Sequence, residues 1–162
     1  MARILIYPIT RPDDRRVVYV GEHMRDEDAR EILTATAREP VEALAFAVEV
    51  SHRCFVAMSE RSPQMWVPVA LFGVSHSNTP DHGVCWFLST PLELGEMKII
   101  RRDTPAWLAV LGSGYKVLHN LLDKRNEKQF RWCLDAGLNF GGEQDINGFP
   151  FLYITRPTGE AA

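Results

Sequence analysis

Between residues 115 and 156 the sequence changes periodicity twice. The apolar run "YKVLHNLLD" reaches Asn126, an amphipathic segment "NEKQFRWCLDAG" follows, and after Gly137 the chain turns apolar again towards "GFPFLYITR". A strand pattern of period two gives way to a helical one and returns. Asn126 starts the helix, and Gly137 supplies the positive-φ stop before the next strand. Two strands joined by one short helix demand a sheet with a helical crossover, which places the chain among mixed α/β folds.

The rest of the chain is compatible with one such domain. It has 162 residues, 46% hydrophobic and 24% charged, a globular and not a disordered composition. A net charge of −3 gives no basic excess that would point to nucleic acid or anionic lipid. Cys54, Cys85 and Cys133 are odd in number and form no C-x-x-C, so buried reduced thiols are expected in place of a disulfide framework or a zinc site. No basic-then-apolar leader and no membrane-length apolar run occurs, which predicts a soluble protein of a reducing compartment.

Along the chain, "RILIYPI" predicts a short strand and residues 10–16 a loop, so that residues 1–16 form an added strand and loop on a domain spanning 1–162. "VVYVGEHM" alternates as a strand would. "RDEDAREILTATA" and "EPVEALAFAVEVSHR" predict two helices, the first with Asp26, Glu27 and Asp28 in its opening turn, the second with Pro40 at its start. "CFVAMSE" and "MWVPVALFGVS" predict strands joined by "RSPQ", with Pro68 marking an edge position or a bulge. "VCWFLST" reads as a fourth strand buried on both faces. Thr104 and Pro105 in "DTPAWLAVLGSG" predict a helix start ahead of a stop at Gly112 and Gly114. The succession of two helices, three strands, helix, strand, helix, strand after the first strand predicts a mixed, mostly antiparallel sheet flanked by helices. It lacks the strict βα alternation of a doubly wound nucleotide fold.

The segment from Asn126 to Phe140 resembles the C-terminal helix of the GNAT acetyltransferase superfamily. A narrower likeness follows from "MRDEDAREI", "PVEALAFAVEVS", "VALFGV", "GVCWFLST", "YKVLHNLLDKRN", "FRWCLDAGLNF" and "GFPFLYITR", which occur in this order over about residues 17–156. As a set they are similar to the phage family named after the internal virion protein A of short-tailed coliphages, short proteins with a degenerate GNAT-like fold. The resemblance implies a single α/β (α+β) domain whose sheet is splayed between the fourth and fifth strands. It also implies a cofactor site of acetyl-CoA type at the end of the fourth strand, at Leu88, Ser89 and Thr90, with Asn126 at the head of the late helix.

The chain departs from a working acetyltransferase where the pyrophosphate would be held. The superfamily turn of the type Gln/Arg-x-x-Gly-x-Gly/Ala offers backbone N–H groups at a helix start. Here "STPLELGEMKIIRRDTPAWL" contains only Gly95, and Pro105 at the expected helix start removes one N–H. Arg101 and Arg102 offer side-chain charge in compensation, or form a solvated basic pair. The tyrosine that many members place seven residues after the asparagine falls on Cys133, a surrogate acid or a core thiol. Glu93 and Glu96 are the nearest carboxylates for a general base. The five histidines show no ligand spacing, so no metal is expected. These readings predict a phage-encoded binding protein with no cofactor, directed at a host or virion protein or forming a homodimer, in the virion or host cytoplasm. The alternative is an N-acetyltransferase using acetyl-CoA through a non-standard loop, with Cys133 and Glu93 as catalytic groups.

Overall fold

Pro8 closes the first strand, β1 (Ile4–Pro8), and Asp14 then opens a helix where the alternating "VVYVGEHM" predicted a strand. The Asp14 carboxylate accepts the Arg16 backbone N–H at 2.9 Å and caps α1 (Arg15–Glu22). Val17, Val20 and Gly21, spaced for one helical face, are buried. A methyl group on Gly21 would lie 2.8 Å from the Val41 Cα, so close helix packing overrides the strand pattern. The computed structural model describes residues 2–159.

Helices α2 (Asp26–Thr36) and α3 (Pro40–Val50) follow, then the strands β2 (Ser51–Ser62), β3 (Met65–His76) and β4 (His82–Ser89). The chain continues through α4 (Leu94–Gly112), β5 (Val117–Asp123), α5 (Glu127–Asp135), β6 (Asn139–Ile146) and β7 (Phe149–Pro157). The seven strands form one sheet in the order β1-β2-β3-β4-β5-β7-β6, antiparallel except where β4 meets β5. Pro68 lies in an interior strand, tolerated by a register shift at Ala57/Met58 opposite it. The late helix runs as its sequence signals, from Asn126 to Gly137 at φ +80°.

One sheet face packs Val17, Val20, Leu44, Val56 and Leu71 under α1–α3. The other packs Phe72, Val74, Leu111 and Leu118 under α4, continuing to Leu122, Cys133 and Ile154 under α5. Helix α4 begins ten residues before the expected Thr104, and Pro105 lies in its interior. The Thr104 hydroxyl donates to the Ile100 carbonyl at 2.6 Å. β4 is buried only at Gly83, Cys85 and Ser89 and half-buried from Trp86 to Leu88, where it borders a gap in the sheet.

Candidate functional site

That gap opens at Asn120. β4 and β5 pair from His82↔Val117 to Val84↔His119 and then diverge, although β4 continues to Ser89 and β5 to Asp123. The next rung is replaced by a side chain. The Asn120 carboxamide donates to the Cys85 carbonyl at 2.7 Å and accepts the Leu121 N–H at 2.7 Å, so it is wedged between the two strands. Both backbone groups stay satisfied while the strands separate.

At the mouth of the gap a polar hub ties β4 to α2 and α5. The Asp28 carboxylate accepts the Ser89 N–H at 3.1 Å, and the Arg25 N–H donates to the Ser89 carbonyl at 2.9 Å. The Arg25 guanidinium also donates to Asp28 at 2.7 Å, Asn126 at 2.8 Å and Gln129 at 3.2 Å. Asn126 returns a bond to Asp28 at 3.1 Å, and Asp28 and Asn126 are both buried. Even-numbered residues of β4 bond to β3, as the Thr90 N–H does to Val69. Phe87, between Cys85 and Ser89, therefore turns its N–H and C=O into the gap.

The start of α4 carries carboxylates. Glu93 caps the helix by accepting the Glu96 N–H, and the Glu96 carboxylate accepts the Glu93 N–H at 2.8 Å. Glu96 is fully buried and accepts two bonds from Arg61, at 2.9 and 3.1 Å. Burial alone would raise its pKa, but Arg61, the Ser59 hydroxyl and the Glu93 N–H outweigh it and hold Glu96 below the usual carboxylate range. Gly95, on the first turn, packs against the N-terminal segment: a Cβ there would lie 2.9 Å from the Ala2 Cβ.

Inside the gap lies a chamber of about 460 Å³ that passes through the sheet. Trp86, Trp107 and Trp132 wall it, with Glu31 entering from α2. Burial foremost pushes the Glu31 carboxyl up to about 8, against the Asp123 N–H that it accepts at 2.9 Å. The nearby Asp28 and Asp123 charges push the same way as burial.

The residues singled out from sequence do not gather into one catalytic group. Leu88 lines the chamber. The Ser89 and Thr90 N–H groups are already bonded to Asp28 and Val69, and Asn126 belongs to the hub. Arg101 edges a second, smaller cavity at the mouth, while Arg102 is exposed and paired with Asp103 at 2.7 Å. Glu93 serves the α4 cap. Cys133 is buried beside the chamber, and burial pushes its thiol up to about 12, where it releases a proton poorly. Cys133→Ser is expected to destabilise the fold by about 1–3 kcal/mol through a poorly paired buried hydroxyl; urea melts check this, and an unchanged midpoint would contradict a core role. Among the described residues no three His, Cys, Asp or Glu side chains are placed to hold a metal ion. No helix there is long and apolar enough to cross a membrane. Arg25, Glu31 and Asn120 escaped the sequence reading, which took Asp28 only as a first-turn anion of its helix, although Asn120 stands out as an amide within an apolar strand.

This architecture is the GNAT acetyltransferase fold, and the comparisons with solved structures agree. An aminoglycoside 6'-acetyltransferase type Ii superimposes with a TM-score of 0.72 at 11% identity, covering 98% of this chain and 99% of that one. A putative acetyltransferase from Salmonella typhimurium, solved with acetyl-CoA, gives a TM-score of 0.67 at 13% identity over 98% and 96% of the two chains. The GNAT domain of an S. lividans protein gives 0.68 at 14% identity over 94% and 89%. At these identities the likeness concerns fold alone. No protein-family model and no curated protein matches the chain.

Proposed function

We propose that this chain is a GNAT-fold binding protein and not an acyltransferase. The observation that carries the reading is the start of α4, where Glu93 and Glu96 engage backbone N–H groups and place two carboxylates. A pyrophosphate needs unpaired donors and a positive field at a helix start. Here it would meet like charge, and Glu96 is held ionised by Arg61. The residues present do not fit acetyl-CoA, for this reason and not because of Pro105, which lies far along the helix.

The resemblance of the ordered motifs to those of short phage proteins supports a phage origin, with a virion or host protein, or a second copy of the chain, as partner. The acidic balance supports a protein partner over nucleic acid. Strand addition at the gap has little room, since among the described residues Asn120 and the hub leave only Phe87 of β4 and the Leu121 carbonyl of β5 with backbone turned inward.

Thermal melting with millimolar acetyl-CoA tests the reading. The expected result is no shift. A ligand at 100 times its Kd would add about 2.7 kcal/mol, and a stabilisation of that order overturns the proposal. The second reading, an N-acetyltransferase, is favoured by Glu31, a carboxyl in the gap whose raised pKa suits a general base. Turnover of acetyl-CoA on an amine acceptor, abolished in Glu31→Gln, would establish it instead.

A further inference from the structure

The chamber between β4 and β5 is larger than the cavity at its mouth, and its polar atoms are mostly engaged. The Trp86 indole N–H donates to the Ser51 hydroxyl and the Trp132 N–H to the Thr104 hydroxyl, each at 3.0 Å, so both rings offer apolar surface. Asn120 is spent on the strands. The charged residues lining the chamber are Glu31 and Asp103, with no lysine or arginine among the described residues. The Glu31 Oε2 takes the Asp123 N–H, while Oε1 has no partner among the described residues. The inward backbone of Phe87, the Leu121 carbonyl turned inward from β5 and the Gln129 carboxamide, whose oxygen takes Arg25, are the other hydrogen-bonding features. The site therefore combines three indole walls with one carboxyl oxygen, one side-chain amide and the backbone groups of Phe87 and Leu121. That is a mainly apolar pocket with a few convergent polar groups.

We propose that this chamber binds an uncharged, largely apolar small molecule carrying one carbonyl or hydroxyl group, held at Glu31 and Phe87. This deepens the binding-protein reading and rests on it. An anion is disfavoured because no lysine or arginine lines the mainly apolar chamber to compensate its desolvation, and the absent pyrophosphate cradle removes what a coenzyme thioester would need. Glu31 is protonated at neutral pH, so its O–H donates to the ligand oxygen. The charged and titratable groups facing Glu31 are Arg25 and Asp28 from the start of α2, Asp123 and Arg125 from the end of β5, and the neutral Cys133 thiol of α5. The two arginines are bonded to the two aspartates, so neither is a free cation that would ionise Glu31.

Decan-1-ol, decylamine and decanoate, each below its aggregation limit, are titrated into the full chain by calorimetry and tryptophan fluorescence. One decanol per chain is expected, with a fluorescence change from the three wall tryptophans, and decanoate and decylamine at least about tenfold weaker. At pH 9.5 decanol binding weakens about tenfold in the wild type and not in Glu31→Gln, because the ligand then buries a carboxylate in the wild type alone. Leu121→Phe, which fills the chamber, abolishes binding; if that variant is unfolded by circular dichroism, the wild-type selectivity decides alone. No saturable decanol binding overturns the proposal. So does equal or tighter binding of either charged probe, or unchanged binding to folded Leu121→Phe. A pH-independent wild type overturns the assignment of Glu31. Failure with decanol while acetyl-CoA still gives no thermal shift sinks this inference alone; saturable acetyl-CoA binding sinks the parent reading.

Discussion

Asp28→Ala is expected to lower stability by about 3–5 kcal/mol, the cost of breaking a buried ion pair by removing one partner. The Asp28 side chain is 1% exposed and answers three donors: the Arg25 guanidinium, the Asn126 amide and the Ser89 N–H. Alanine leaves a largely buried arginine uncompensated and strips a partner from the end of β4. Asp28→Asn keeps one acceptor oxygen but turns an NH2 towards other donors, so about half that loss is expected. Equilibrium urea unfolding measures both. A loss under about 1 kcal/mol for Asp28→Ala would show that the hub does not hold β4 to α2.

Glu31→Gln should act in the opposite direction. The folded state raises the Glu31 pKa from 4.5 to about 8, so it binds that proton more tightly than the unfolded chain does. The stability this contributes is fully present below about pH 4.5 and is lost as pH rises towards 8. Each unit corresponds to about 1.4 kcal/mol at most. Because Glu31 is only half-buried and partly screened, about 2–3 kcal/mol is the expected loss across the window. Glutamine keeps an oxygen for the Asp123 N–H and carries no charge. The variant should match the wild type near pH 5 and exceed it by about 2–3 kcal/mol at pH 9. Parallel stability curves for the two proteins from pH 5 to 9 would refute the raised pKa.

Local chemistry made part of the fold legible. The helix from Asn126 to Gly137 was readable because its start and stop signals are contiguous with it. Pro40 marked α3, and the acidic first turn marked α2. "VVYVGEHM" misled because its β-branched Val17, Val18 and Val20 suit a strand, while the deciding features are the Asp14 cap and the contact of Gly21 with Val41 in another helix. The start of α4 was misplaced because Thr104 and Pro105 imitate a helix start, whereas the real capping box uses glutamate at the cap.

The sequence by itself determined the mixed α/β class, the late helical crossover and the lack of a glycine-rich phosphate turn, since each rests on residues close in the chain. The tertiary structure alone decided what fills the site. Asp28 meets Asn126 across 98 positions, and Glu96 meets Arg61 across 35. Asn120 becomes a wedge only once β5 lies parallel to β4. Such pairings depend on how the sheet is ordered, and no local period or spacing encodes that order.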